Sequence, residues 1–305
     1  MKHIFVINPI AGKHDSTSEI AEKVTYYAST HQDFDYDVYL TTAVGDATKW
    51  TRRWCRLHKG EKVRFYACGG DGTLNEVVSG IIGSENVEVT VYASGSGNDY
   101  IKYYGTQEDF CDMPRLIEGD AHQVDVMKVN NRYSINICNF GFDAIVCKSA
   151  AKLRHHHILG GSRAYPACIA YGLLVASRNY VKMSVDGEPF FDGKMLLCTL
   201  GNGRWVGGKY QCSPKSQNDD GLIEVTLMHT MSIFTLLGVI NPYSKGTFHN
   251  LSNIKKLMQY RRGTQVEISA PKPFWVCIDG EMILNDHYTI QNLPQAITFV
   301  SPRKP

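Results

Sequence analysis

Apolar and polar positions along this chain follow two different rhythms, one before about residue 125 and one after it. Residues 4–7 (Ile-Phe-Val-Ile) form a short, wholly apolar run stopped by Asn8-Pro9, as in a buried strand. A helix reaching about residue 28 follows, with Asp15 or Ser16 as its N-cap. Residues 36–40 alternate polar and apolar, and Asp46 is read as the cap of a second helix carrying Trp50, Trp54 and Leu57 on one face. Residues 63–67 read as a third strand, 73–82 as a helix and 87–92 as a fourth strand. Strands alternating with helices imply a parallel sheet covered on both faces.

Beyond residue 125 the pattern becomes strand-rich. Residues 126–129, 133–138, 181–185, 195–200, 223–227, 266–268, 275–278 and 297–300 all read as strands. Asn130-Asn131, Asp186-Gly187 and Asp192-Gly193 have the chemistry of hairpin turns. Two helical stretches, near 145–157 and 164–177, interrupt the series. The expected fold is therefore α/β plus β. An α/β domain with a parallel sheet spans 1–125. A β-rich sandwich spans 126–305, its last segment packing back on the first domain.

Composition narrows the class. The 305 residues are 43% hydrophobic and 20% charged, as in an ordinary globular protein. A formal charge of +2 without a dense Lys/Arg block argues against nucleic acid. Nine cysteines scattered without a C-x-x-C pair signal neither a zinc ribbon nor a disulfide framework and fit a reducing cytoplasm. The apolar run at the start is too short for a signal peptide. The longest apolar stretch, 167–176, has ten residues, where a transmembrane helix needs roughly 20.

The chemistry concentrates at strand ends. Gly69-Gly70-Asp71-Gly72-Thr73-Leu74-Asn75-Glu76 follows a strand and opens a helix. Its glycines let the backbone approach a phosphate, and the helix N-terminus offers unpaired N–H groups and a positive dipole end. Asp71 is placed to hold or orient Mg²⁺ through oxygen. A tight strand–helix turn with a capping Asp is the structural alternative. Neither the P-loop nor the dinucleotide fingerprint is present. Three more loops end strands of the same domain: Asn8-Pro9-Ile10-Ala11-Gly12-Lys13, Thr41-Thr42-Ala43-Val44-Gly45-Asp46 and Gly95-Ser96-Gly97-Asn98-Asp99. Ligands of open parallel sheets bind outside the carboxyl ends of the strands, so four such loops on one edge make a nucleotide cradle.

The order of these segments resembles the diacylglycerol kinase catalytic family, and in particular its compact bacterial lipid-kinase branch. Asn139-Phe140-Gly141-Phe142-Asp143-Ala144, Asn202-Gly203, Gly207-Gly208, Pro214, Asp219-Asp220-Gly221 and Ile278-Asp279-Gly280-Glu281 continue the resemblance almost to the end of the chain. It implies a nucleotide-binding α/β domain, an active site in the interdomain cleft, and ATP- and Mg²⁺-dependent phosphorylation of a lipid hydroxyl, diacylglycerol to phosphatidic acid first of all. Asn8, Pro9, Ala11, Gly12, Lys13, Thr41, Thr42, Gly69, Gly70, Gly72, Thr73, Asn75, Glu76, Gly95, Ser96 and Asn98 would bind ATP. Asp71 and Asp99 would organise the catalytic Mg²⁺, and Glu281 would be the general base. A structural Mg²⁺ would sit on Asp220 with the carbonyls of Gln217 and Leu222. The enzyme would be cytoplasmic and peripheral at the inner membrane face, touching the bilayer transiently, and compatible with a homodimer.

Two departures from the family pattern stand out: Gly95-Ser96-Gly97 replaces a commoner Gly-Thr-x, and Lys215-Ser216-Gln217 replaces smaller, more apolar residues. His155-His156-His157 point in different directions on a helix and make a poor metal site. The apolar segment 234–240 fits either an acyl groove or the core. Lys255, Lys256, Arg261 and Arg262 fit either anionic headgroups or a solvated face. Two other functions stand as rivals: a kinase of a soluble metabolite, NAD-kinase-like or phosphofructokinase-like, in which Gly-Gly-Asp-Gly also occurs, and a catalytically silent lipid or nucleotide sensor, against which Asp71 and Glu281 argue.

Overall fold

The N-terminal apolar run becomes strand β1 (Lys2–Ile7), whose last five residues are buried. The computed structural model describes residues 1–12, 14–141 and 180–304. It divides into one unit of Met1–Val126 with Leu293–Pro305 and a second of Met127–Asn292. Lys13, Phe142, Asp143, Ala144, the expected helices near 145–157 and 164–177, and His155, His156 and His157 lie outside the described residues.

In the first unit β1 lies between β2 (Tyr36–Leu40) and β3 (Val63–Gly69), and β3 pairs with β4 (Val87–Ala93), all parallel. The end of β13 (Glu281–Ser301) adds a fifth parallel strand beside β4, with Thr298 opposite Glu88. Helices α1 (Thr17–Thr30), α2 (Asp46–Leu57), α3 (Asp71–Ile81) and the short α4 (Met113–Ile117) connect the strands. α2 and α3 pack closely at Gly80, where a Cβ would stand 1.9 Å from Thr51 Oγ1. Asp46 is not the cap of α2. Gly45 occupies that position, and the Asp46 carboxylate accepts from Thr42 N and Oγ1 and from Tyr39 Oη, bracing the preceding loop. Leu57 leaves the apolar face and is exposed, whereas Trp54 is buried edge-on against Phe65.

The second unit is antiparallel. β9 (Glu188–Gly201) and β12 (Gln265–Ile278) are each 14 residues long, and both pair with β8 (Tyr180–Val185) and with β7 (Ile137–Gly141). The two long strands thus pass from one layer to the other and close the layers around Phe140, Met183, Met195, Leu200, Val266, Val276 and Tyr288. β10 (Ile223–His229) and β11 (Met258–Gly263) extend this sheet from β9. Helices α5 (Ile233–Ser244) and α6 (Ile254–Leu257) cover a second cluster around Leu197, Met228 and Phe248.

Local chemistry explains where the strands differ from the sequence pattern. Residues 266–268 and 275–278 belong to one strand, because Pro271 and Pro273 fall where the register shifts and no ladder bond is needed. Asp192-Gly193 is no turn; it lies within β9 opposite Val181 and Lys182. Asp186-Gly187 does turn the chain, with φ of 53° and 81°. The expected strand at 133–138 breaks into β6 (Arg132–Ser134) and β7, since the amides between them bond a carboxylate instead of a neighbouring strand. β5 (Asp120–Val129) forms a hairpin with β6 through Asn130-Asn131.

His3, buried in β1 beside the Phe34 ring with Nδ1 2.8 Å from Tyr66 Oη, gives this unit a pH dependence. Burial first, and then the nearby Arg64 guanidinium, hold its pKa down at about 4. The unfolded chain takes up a proton near pH 6.5 that the folded one refuses, so stability falls as pH drops from there to 4. The loss attributable to His3 reaches about 3 kcal/mol. Denaturant unfolding followed across this window is expected to show the slope, and His3→Gln to flatten it.

Candidate active site

The strand-end loops of the first unit meet backbone to backbone. Gly95 N donates to the Gly69 carbonyl at 3.0 Å. A Cβ on Gly95 would fall 2.2 Å from Gly70 Cα, and one on Gly12 would fall 2.2 Å from the Ser94 carbonyl oxygen. Side chains at these two places would force the loops apart. Asn8 Nδ2 donates to Thr73 Oγ1 at 3.2 Å, and Asn98, at φ 48°, bonds the Gly95 carbonyl at 2.8 Å. Glu76 accepts from Gly45 N at 2.8 Å and ties the second loop to α3. A recess of about 110 Å³ is lined by Asn8, Pro9, Thr41, Thr42, Thr73 and Glu76, with Ile10 and Val44 exposed at its edge. Six of the sequence-predicted positions therefore share one cavity. Ala11, Gly12, Gly69, Gly70, Gly95, Ser96 and Asn98 lie in the loops beside it. Gly72 meets no protein atom within 4 Å of its ideal Cβ, so packing does not explain that glycine. Asn75 is turned into the buried side of α3.

Two carboxylates stand at the same strand ends. Asp71, the first residue of α3, accepts from the amides of Asp99 and Tyr100 through Oδ1, at 2.7 and 3.1 Å. Asp99 Oδ1 pairs with Lys102 Nζ at 2.6 Å. Their other oxygens converge beside Gly97, whose Cβ would stand 3.0 Å from Asp71 Oδ2 and 3.6 Å from Asp99 Oδ2. Paired carboxylate oxygens are the hard donors that Mg²⁺ takes, so Asp71 and Asp99 are the residues that could hold it.

The second unit presents Glu281 at the end of a two-residue turn. Asp279 and Gly280 take φ of 45° and 95°, and Ile278 pairs directly with Glu281. Asp279 faces inward and accepts from Ser134 Oγ and from the amides of Ile135, Asn136 and Ile137, at 2.8 to 3.2 Å. Asn202 and Gly203 donate their amides to the Asn136 carbonyl and brace the same segment. Glu281 itself stays at the surface, 37% exposed, with Arg132 Nη1 on its Oε2 at 2.5 Å. Arg132 was not foreseen: it lies 149 residues away, brought there by the β5–β6 hairpin.

Asp220 does not fit the structural Mg²⁺ expected on Gln217, Asp220 and Leu222. Its Oδ1 accepts from Leu222 N at 3.1 Å, and its Oδ2 is taken by the Arg262 guanidinium. Arg262 Nε also lies 2.7 Å from Glu224, a carboxylate only 2% exposed and opposite it on the β10–β11 ladder. Lys215, one of the departures from the family pattern, lies over the Tyr260 ring at 4.8 Å. The Arg262 guanidinium supplies the positive charge that Asp220 would otherwise take from a metal.

Residues 2–129 match the model of the diacylglycerol kinase catalytic domain, and residues 136–301 match that of the YegS C-terminal NAD kinase beta sandwich-like domain. The chain belongs to this family of bacterial lipid kinases and is a phosphotransferase with an alcohol acceptor, in a kinase family whose phosphoryl donor is ATP. A protein of Alcanivorax borkumensis named probable lipid kinase YegS-like is 25% identical over 275 residues, covering 89% of each chain. A diacylglycerol kinase of Staphylococcus aureus is 26% identical over 284 residues, covering 90% of this chain and 84% of the other. A crystal structure of a diacylglycerol kinase from Bacillus anthracis shares the fold, with TM-score 0.69 at 20% identity over 98% of this chain and 96% of that one.

The Asp220 arrangement has a direct consequence. Millimolar Mg²⁺ without nucleotide is expected to leave the melting temperature where EDTA leaves it. Arg262→Ala, which strands Glu224, should cost about 2 kcal/mol or more. Thermal unfolding checks both; a Mg²⁺-dependent rise abolished by Asp220→Asn would contradict the assignment.

Proposed function

We propose that this chain transfers the γ-phosphoryl group of ATP to the free hydroxyl of diacylglycerol, with Mg²⁺, yielding phosphatidic acid and ADP. The observation that carries the reading is the approach of Asp71 Oδ2 and Asp99 Oδ2 to Gly97, next to loops whose glycines let backbone meet backbone. Phosphoryl transfer asks mainly for positioning and charge neutralisation, and these loops supply both. The amides of Gly70, Gly72 and Thr73 and the α3 N-terminus face the polyphosphate. Asn8, Thr41, Thr42 and Ser96 add polar contacts, and Ile10 and Val44 offer apolar surface to the adenine. Asp71 and Asp99 hold Mg²⁺, which when bound draws charge from the phosphate oxygens.

Glu281 takes the proton from the acceptor hydroxyl as its oxygen bonds to γ-phosphorus, and the bond from γ-phosphorus to the bridging oxygen breaks to release ADP. Arg132 fixes the Glu281 carboxylate through its pairing with Oε2, and the Asp279 hydrogen bonds hold the turn on which Glu281 stands. A general base anchored in this way meets the acceptor in one orientation. The enzyme works as a peripheral protein at the cytoplasmic membrane face. No helix among the described residues is long and apolar enough to cross a bilayer.

Transfer of label from γ-labelled ATP to a panel of lipids and soluble alcohols tests this reading. Label is expected in phosphatidic acid, and Glu281→Gln is expected to lower kcat by roughly 10² to 10⁴ while ATP still binds. Label in NAD or a sugar, with none in lipid, would refute it.

A further inference from the structure

α5 carries an apolar surface that neither the core nor the catalytic residues use. Its 12 residues include no charged side chain. One side, with Leu236, Val239 and Tyr243, is buried in the cluster around Leu197 and Phe248. The other side leaves Phe234 83%, Leu237 61% and Ile233 43% exposed. Positions 233, 234 and 237 fall on one stripe of a helix, with Gly238 and Asn241 continuing it. The first turn that carries Phe234 is well formed, since Ser232 Oγ accepts from Thr235 N at 3.1 Å.

The charge around this stripe has one sign. Residues 225–266 contain no Asp or Glu, although the chain has 30 acidic residues in 305. The same stretch holds Lys245, Lys255, Lys256, Arg261 and Arg262. Arg262 is committed to Asp220 and Glu224, and Arg261 lies 5.3 Å from the centre of the Phe190 ring. The three lysines are exposed and make no ion pair with the described residues. Lys245 caps the C-terminus of α5, and Lys255 and Lys256 project from α6, whose Ile254 and Leu257 pack on the same apolar cluster as α5.

An uncharged apolar stripe flanked by lysines, with acid absent, has the composition of a helix lying in a lipid interface. At 1.5 Å per residue α5 is about 18 Å long, too short to span the roughly 30 Å of a hydrocarbon core, so it would lie in the plane. We propose that α5, with Lys245, Lys255 and Lys256, docks the enzyme on an anionic bilayer surface. Ile233, Phe234 and Leu237 enter the acyl boundary, and the lysines meet phosphate headgroups. The inference rests on the lipid-kinase reading, because an acceptor held in a bilayer requires such a contact.

Sedimentation of the full chain with phosphatidylcholine vesicles, with and without phosphatidylglycerol, tests it. The wild-type protein is expected to bind the anionic vesicles and to be released by salt. Phe234→Ser with Leu237→Ser is expected to weaken binding at least about tenfold. Lys255→Glu with Lys256→Glu is expected to abolish the preference for phosphatidylglycerol, a loss of roughly fivefold or more. Phosphorylation of a short-chain diacylglycerol dissolved as monomer is the separate readout and should be unchanged in all these variants. Variants that bind vesicles like the wild type while diacylglycerol is phosphorylated overturn the docking surface alone. Vesicle binding that needs α5, in an enzyme inactive on every form of diacylglycerol, supports docking and overturns the substrate assignment. Loss of monomer phosphorylation in Phe234→Ser would make α5 an acyl groove, and dimerisation lost in Leu237→Ser would give the face to a second copy; either overturns the proposal.

Discussion

The contact on which the first unit depends is the approach of bare backbone at the ends of its parallel strands. Gly95 lies on Gly70 with no room for a Cβ of its own, and Gly12 lies equally close to the Ser94 carbonyl. Any other residue at these positions would separate β1, β3 and β4 at their ends and disperse the groups gathered there. Because the loops meet, the N-terminus of α3, the Asn8–Thr73 hydrogen bond and the two carboxylates around Gly97 fall within one small region. Parallel strands alone bring loops to one edge of a sheet; the glycines make that edge into a binding surface.

The second unit solves a different problem, which is to hold one carboxylate still at a surface. Asp279 does so from inside, accepting three successive amides and a hydroxyl that would otherwise break the β6–β7 connection without partners. Arg132 does so from outside, across the hairpin. Of the Asp-Gly-Glu trio, the first residue organises the chain, the second permits the turn and the third faces outward. Asp220 shows a similar economy. An acid that the family pattern links to a metal is answered by Arg262, which also answers the buried Glu224.

Much of this was legible in the residues and some was not. The alternation of β1, α1, β2, α2, β3, α3 and β4 followed from periodicity, since each element buries one face. Loops at strand ends were recognisable through their glycines. Pairs remote in sequence were not: Arg132 with Glu281, and Arg262 with Asp220, depend on hairpin register that no local pattern records. Proline at 271 and 273 hid the continuity of β12, because its position in a register shift is a tertiary fact. For the segment 234–240 the residues leave both groove and core open, because a helix apolar on all sides has no strong periodicity and only burial distinguishes Leu236 from Leu237. Gly97 reads as one loop glycine among several, because the two carboxylate oxygens beside it are a tertiary fact.

The central claim is that backbone amides of the glycine loops hold the polyphosphate of ATP. Amide hydrogen exchange with ATP and Mg²⁺, compared with adenosine at equal saturation, measures this directly. Slowed exchange at residues 70–73 and 96–98 with ATP, and unchanged exchange there with adenosine, is the predicted result. Equal protection by both ligands, or protection confined to other loops, would contradict it.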